Sequence, residues 1–401
     1  MNGWIRVNEF LLEILAKKRE LLRSRIEKTG LEEVLARARE LWVEHAPAVS
    51  KPTRYGAVDG SNNSIEFKGL TFYAVLGYAI GKVGGSVVER SVGDMDILLH
   101  SDAGEHVRLL REISEVKVAA LLPETELLMV DGSIISLLLR PRPLAAEPRL
   151  KYAVEKLWEK AGRDVAHVLW SGLRTQLRAT SYFLYDHLVS HQVARDHSLL
   201  LSDQVELIVL LEYLEKLLAT RILLEQRVIG RGTPGLVFVS KTSRSRDHFT
   251  EFENKLNRML PPDIVIFSYA STKPGFSRPM KATIEEVKGA MPSHGDLAGL
   301  IAEFYERLDF ILSYVRLVEN GPVLMLEIPV DRDVVGEDRY GDVVEHVLRY
   351  LNSLAYNGYP YPLIEAHRGS LITRDDIENM AMILGLLPGS TGREVLLEWI
   401  S

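Results

Sequence analysis

The tetrapeptide Val-Asp-Gly-Ser occurs twice, at Val58–Ser61 and at Val130–Ser133, each time directly after an apolar run that reads as a β-strand. Tyr55 to Val58 lead into the first copy and Leu127 to Val130 into the second. An ionisable aspartate directly after a buried apolar run is costly unless the strand end opens onto a site. The glycine that follows lets the backbone turn sharply and come close to a ligand. The chain is thereby constrained to a sheet in which two strands, remote in sequence, present carboxylates toward one point. Such a pair would hold a hard divalent cation.

The rest of the chain is consistent with a large soluble sheet protein. Its 401 residues are 46% hydrophobic and 26% charged, an ordinary globular composition with room for a sizeable core. The cysteine count of zero excludes disulfides, zinc–thiolate sites and thiol catalysis. Glu9 and Lys17-Lys18-Arg19 interrupt any apolar core near the N-terminus, and no run is long enough to span a bilayer. A cytoplasmic protein is therefore expected. A net charge of −7 argues mildly against generic nucleic-acid affinity, yet local basic clusters exist. Arg140, Arg142, Arg149 and Lys151 form one; Arg221, Arg227, Arg231, Lys241, Arg244 and Arg246 form another. Each reads equally as a solvated face or as a phosphate-facing surface.

Apolar spacing predicts two helices within residues 8–46, a helical arm (residues 1–51) suited to contacting a second subunit or a partner. Strands are expected at Arg54–Asp59, Leu70–Ile80 and Gly85–Leu99, then a helix from Glu105 stopped by Pro123, then a strand at Leu127–Asp131. Ser133–Leu139 admits a strand or a short helix. Lys151–Ile229 reads as helical, including single helices over Leu173–Val193 and Leu199–Glu225. Strands are expected again at Gly235–Ser240, Ile264–Tyr269 and Val323–Pro329, followed by a helix at Val343–Ala355, a loop at Asn357–Pro362 and a helix after Thr373. No linker composition follows residue 52, so residues 52–401 read as one elaborated α/β domain with a helical insertion at about 151–230. Antiparallel strands, then a helix, then a strand are the opening of a ribonuclease-H-like α/β core with a mixed sheet.

Among residues able to carry chemistry, Asp59 and Asp131 come first. The helix between them supplies Glu115, with Glu112 as the alternative. Three carboxylates from two strand ends and a helix suit magnesium or manganese and the activation of water at a phosphodiester; the competing reading is plain turn chemistry of Asp-Gly. His367 could bind metal or orient water, and Tyr359 could stack on a base or bond a phosphate. Lys241, after Leu236–Ser240, could pin a phosphate. Asp94 and Asp96 are further acids on the third strand. His187 and His191 have helical spacing, but Leu188 stands where a zinc protease needs glutamate, so a partly exposed helix face is the expected outcome. There is no Walker A motif and no Gly-x-Ser-x-Gly elbow.

The ordered set resembles the NurA nucleases of archaea and some bacteria. It comprises Asp-Gly-Ser after an early strand, an Arg-rich helix carrying a glutamate, a second Asp-Gly-Ser, a strand ending in Ser240-Lys241, and Gly358-Tyr359-Pro360 followed by Ala366-His367. The resemblance implies a ribonuclease-H-like (Piwi-like) core, a homodimer, and a manganese-dependent DNA nuclease with 5′-to-3′ exonuclease and single-strand endonuclease activity. It implies a HerA-type hexameric ATPase as partner in DNA end resection and recombination repair. By position it assigns Asp59, Asp131, Glu115 and His367 to the metal and to catalysis, and Lys241 and Tyr359 to DNA; Arg244, from the second basic cluster, is a further candidate for DNA. The alternative is a non-catalytic ribonuclease-H-like scaffold that binds DNA or a partner.

Overall fold

The computed structural model describes residues 14, 17–19, 31–45, 50, 52–67, 69–100, 102–178, 183–185, 188–199, 205–257, 259–282 and 298–386. Most of the first expected N-terminal helix, and His187, lie outside them. Residues 32–44, within the segment read as an arm, supply helix α1 (Glu32–Leu41) and an edge strand, β1 (Trp42–Glu44), of the main sheet.

Strands β2 (Tyr55–Phe67), β3 (Leu70–Val83) and β4 (Ser86–Leu98) form an antiparallel meander. Helix α2 (Ala103–Leu121) then crosses the sheet, so that β5 (Leu127–Asp131) returns parallel to β2, with Val58 opposite Val130. The short helix α3 (Ile134–Leu138) follows, capped by the Ser133 side chain on Ser136 N. Beyond it lie α4 (Glu147–Ala161) and α5 (Val165–Gln176), the edge strand β6 (Phe183–Tyr185), and helices α6 (Val189–Asp196) and α7 (Val205–Arg227). β7 (Leu236–Ser240) lies parallel to β5, and β8 (Gly275–Ser277), β9 (Met280–Lys281), β10 (Leu308–Arg316) and β11 (Val323–Asp331) complete the sheet. Its main path is β1-β8-β10-β11-β7-β5-β2-β3-β4-β6. The molecule is thus α/β with a large mixed sheet.

Helix α7 is buried along most of its length, its apolar side chains interrupted by charges that find partners on neighbouring elements. It packs on α2, which in turn covers β2 to β4. The α2–α7 seam carries fully buried charges: Lys117 Nζ lies 2.5 Å from Glu215 Oε1, and Lys216 Nζ 2.9 Å from Glu112 Oε2. Removing one partner of such a pair leaves a buried charge uncompensated, at a cost of roughly 3–5 kcal/mol. The opposite sheet face is covered by α8 (Tyr340–Leu354) and α9 (Tyr361–Ser370), the latter lying over β2 and β3. Helix α10 (Arg374–Ile383) follows, with Thr373 and Asp376 forming a capping box.

Four expectations are corrected. The first strand does not end at Asp59 but runs on to Phe67, because Gly60 to Phe67 pair with Leu70 to Gly77 beyond the point where β5 stops. Ile264–Tyr269 is part of a helix, Asp263–Ala270, started by Pro262 and buried between α1 and the sheet; a short run apolar on every side carries no period that separates strand from helix. Leu173–Val193 is not one helix: α5 ends at Gln176, and Phe183–Tyr185 pairs in parallel with β4. Asn357–Pro362 is not a loop throughout; Tyr359–Pro360 pairs with Ala355–Tyr356 and α9 begins at Tyr361. The strand Leu308–Arg316 has no counterpart in the sequence reading.

Candidate metal and nuclease centre

The parallel register of β2 and β5 ends at Val58 and Val130, so Asp59 and Asp131 emerge side by side where β5 stops. The two glycines that follow serve different purposes. Gly60 does not turn the chain; a Cβ there would meet Glu115 Cγ and Oε1 at 2.3 Å, so its bareness is the space the Glu115 side chain occupies beside β2. Gly132 does turn, with φ of +127°, a conformation open to glycine, and its N–H donates to Val239 O at 3.0 Å.

Asp59, Glu115, Asp131, Lys241 and His367 line one cleft of about 510 Å³, with Arg108, Arg111 and Glu112 on its α2 wall. Asp59 Oδ1 accepts the Gly60 N–H at 2.8 Å, and Asp59 Oδ2 lies 2.7 Å from His367 Nδ1, delivered by α9. Asp131 Oδ2 accepts from Lys241 Nζ at 3.0 Å and from the Tyr359 hydroxyl at 3.0 Å, while the Lys241 ammonium sits 4.4 Å from the Tyr359 ring centroid. Glu115 Oε1 lies 3.4 Å from Arg111 Nε.

The electrostatics separate the two glutamates. Burial raises the Glu115 carboxyl to about 8; Arg111 opposes this, and Glu112, Asp59 and Asp131 reinforce it. Burial would also raise Glu112, but Lys216 and Arg108 outweigh it and hold that carboxyl below its ordinary value. Glu112 is therefore a satisfied ion-pair partner, and Glu115 the acid with unmet demand for positive charge. Burial and the Asp131 charge raise Asp59 against the opposing bond from His367. Burial and the Asp131 and Asp59 charges push the Tyr359 phenol far up, so it stays a donor.

Among the described residues, no three Asp, Glu or His side chains are already gathered around one point at metal-binding distance. Each carboxylate is drawn to its own cationic or hydroxyl partner instead: Asp59 to His367, Asp131 to Lys241 and Tyr359, Glu115 to Arg111. The donor chemistry nevertheless fits a hard divalent ion, since three oxygen donors face one cleft and two of them are raised by burial and mutual repulsion.

The remaining expected residues fall elsewhere. Arg244 lines an adjoining cleft of about 600 Å³, joined to the first through Ser133, Ser136 and Thr242. Asp96 lines a third cavity beside His100, His106 and His191, and neither Asp94 nor Asp96 lines the carboxylate cleft. The second basic cluster disperses. Arg227 is buried and donates to Leu122 O and Pro123 O, Arg221 pairs with Glu225, Arg231 with Glu124, and Arg246 bonds Leu260 O. These four are each engaged within the chain. Sequence reasoning missed Glu327, which accepts the Ser133 hydroxyl at 2.9 Å and Ile135 N–H at 3.2 Å, tying the second Asp-Gly-Ser to β11. Burial raises its carboxyl to about 7 against those bonds. Arg111 was missed as well; its signal was the spacing of four to Glu115 on one helix face.

Fold and cleft together define a mixed-sheet α/β protein with an acidic site at the ends of neighbouring parallel strands. A model of the NurA domain matches residues 53–370, and the chain belongs to the NurA family. It is 22% identical over 381 residues, 93% of each chain, to the DNA double-strand break repair nuclease NurA of Sulfolobus acidocaldarius. The crystal structure of the NurA nuclease from Sulfolobus solfataricus shares the fold, with a TM-score of 0.63 at 17% identity over 95% of this chain and 97% of that one. A crystal structure of NurA bound to dAMP and manganese does so with a TM-score of 0.62 at 15% identity over 96% and 98%. Among the described residues, no helix is long and apolar enough to cross a membrane.

Proposed function

We propose that this chain is a metal-dependent DNA nuclease that hydrolyses phosphodiester bonds at the Asp59–Glu115–Asp131 cleft. The observation that carries the reading is the convergence of three carboxylates, from two strands and one helix, on one cleft, two of them held above the usual range by burial and by their neighbours. Carboxylates in that state are stable as anions only when positive charge joins them. Asp59, Glu115 and Asp131 would hold manganese or magnesium, with His367 completing the donor set or orienting water. Such an ion, when bound, supplies Lewis-acid stabilisation of the phosphoryl oxygens and a lowered pKa for water.

The chain's own groups do the rest. Lys241, half-exposed beside Asp131, is positioned to meet a phosphate with its ammonium. Tyr359 donates to Asp131 and keeps that carboxylate aimed into the cleft. His367 uses Nδ1 toward Asp59, which leaves Nε2 to hold or pass a proton. Arg244 in the adjoining cleft is suited to a phosphate one step along the strand.

Several finer points rest on family resemblance. They are 5′-to-3′ exonuclease and single-strand endonuclease activity, a homodimer, and a HerA-type translocase as partner in end resection; a contact role for the 1–51 segment rests instead on its helical apolar spacing. The names of the relatives, DNA double-strand break repair nucleases, support the repair setting. The manganese and dAMP held by a solved NurA support the ion and the nucleotide. A ribonuclease-H-like core is supported by the order β4-β3-β2-β5-β7, in which β3 alone runs against the others.

The test is a manganese titration of single-stranded DNA cleavage by the wild-type protein and by Asp59→Ala. The account expects cleavage that requires the ion, abolished in Asp59→Ala while circular dichroism stays unchanged. Retained manganese-dependent cleavage in the variant overturns the assignment. Wild-type protein that binds DNA without cutting it supports the non-catalytic scaffold instead.

A further inference from the structure

The third cavity, mostly apolar but with a cluster of histidines and carboxylates in its wall, lies at the other end of α2. His106 stands nine residues before Glu115, roughly 13 Å along a helix rising about 1.5 Å per residue. The cavity, of about 270 Å³, is lined by Tyr73, Asp96, His100, His106, His191 and Glu212. Glu212 is fully buried on α7. Its Oε2 lies 2.5 Å from His106 Nε2 and its Oε1 2.7 Å from His191 Nε2. His100 Nε2 in turn lies 2.9 Å from His106 Nδ1, the two rings stacked with centroids 5.1 Å apart.

Carboxylate oxygens only accept, so His106 and His191 each donate Nε2–H to Glu212. In a neutral imidazole the other nitrogen then carries a lone pair. For His106 that lone pair points at His100. A buried carboxylate fixing the tautomer of a histidine whose second nitrogen faces another imidazole is the arrangement that orients ligands in metal sites. Two imidazole nitrogens on one tetrahedral zinc ion, each at about 2.0–2.1 Å, stand roughly 3.3 Å apart. The pair now sits at the hydrogen-bond distance of 2.9 Å, so it opens by a few tenths of an ångström as the ion replaces the proton. Asp96 supplies an oxygen donor lining the same cavity, and the cavity has room for water to complete four-coordination.

We propose that His100 and His106, backed by Glu212 and joined by Asp96, form a binding site for a transition-metal ion of the zinc class, separate from the carboxylate cleft. Binding replaces the single proton shared by His100 and His106 and preserves both bonds to Glu212. No three of these side chains yet surround a common point, so the carboxylate of Asp96 moves toward the imidazole pair as the ion enters. The mixed nitrogen and oxygen donors suit zinc or cobalt better than magnesium. The site accounts for Asp96 and His191, two residues prominent in the sequence that the nuclease centre leaves unused. His191 acts through Glu212.

The test uses full-length protein carrying Asp59→Asn and Asp131→Asn, which disables the carboxylate cleft, stripped of metal and titrated with Co²⁺. The readouts are visible d–d absorption and equilibrium dialysis. The expected result is one equivalent of cobalt with a nitrogen–oxygen spectrum, its affinity lowered at least tenfold by adding His100→Ala. Adding His100→Gln, which retains a hydrogen-bond donor toward His106, should lower it as much. No cobalt uptake by the double variant overturns the proposal, as does uptake that either His100 replacement leaves unchanged in a protein shown to be folded.

Discussion

Glu115→Gln should stabilise the metal-free protein at alkaline pH while destroying its cleavage activity. The unfolded glutamate loses its proton near its ordinary value of 4.5, whereas the folded one keeps it to about 8. Between those values the native state binds more protons than the unfolded state, so stability falls as pH rises. The distance from 4.5 to about 8, at about 1.4 kcal/mol per pH unit, corresponds to a penalty on the order of 5 kcal/mol once Glu115 is ionised. Glutamine never ionises and escapes that penalty. The opposing attraction of Arg111 is already part of that raised value. A gain of about 5 kcal/mol is therefore expected at pH 9, shrinking to about 1 kcal/mol at pH 5, where the wild-type side chain is protonated in the native state. Urea unfolding in EDTA at pH 5, 7 and 9 measures the difference. Adding manganese at pH 9 should raise the stability of the wild type and leave that of the variant nearly unchanged. A difference between the two proteins that does not change with pH would refute the argument that burial and its acidic neighbours hold Glu115 in its proton-bearing form.

Lys241→Met should weaken DNA binding and lower the salt-dependence slope by about one, read by fluorescence anisotropy across a salt series. The same variant should bind manganese more tightly in calorimetry, because the ammonium 3.0 Å from Asp131 competes for that carboxylate; unchanged ion affinity would count against a shared Asp131. Glu327→Leu strands the Ser133 hydroxyl and the Ile135 N–H. Single-turnover and steady-state kinetics should then give a roughly tenfold lower kcat with KM little changed, about 1.4 kcal/mol of lost positioning. Glu327→Gln, which keeps an acceptor toward Ser133, should recover most of that loss.

The sheet around the cleft was legible because its strands differ from their surroundings in period or boundary. Leu127–Asp131 is a continuous apolar run ended by an acid, and the two hairpin strands after Gly69 are long and rich in β-formers. What failed has a common physical source. Leu308–Arg316 and Ile264–Tyr269 are both buried runs with no alternation, one a central strand and one a helix, and only tertiary packing separates them. Asp59 and Asp131 could be read from their repeated motif. The environment that distinguishes Glu112 from Glu115 could not, since Glu112 is paired by Lys216, a residue 104 positions away that meets it only when α7 folds against α2. The role of Gly60 was misread for a similar reason: its need for glycine comes from a side chain arriving across the sheet and not from its own backbone. The second basic cluster was open to either reading because the partners of Arg227 and Arg231, backbone carbonyls and a glutamate far along the chain, are set by tertiary packing.

The most direct test of the central claim is an anomalous-difference map at the manganese edge from crystals of the wild-type protein soaked in Mn²⁺. The account predicts a strong peak in the cleft within coordination distance of Asp59, Glu115 and Asp131, with the Lys241 ammonium withdrawn from Asp131. A map with no peak there, from crystals whose dissolved protein still cleaves DNA with manganese, would contradict it.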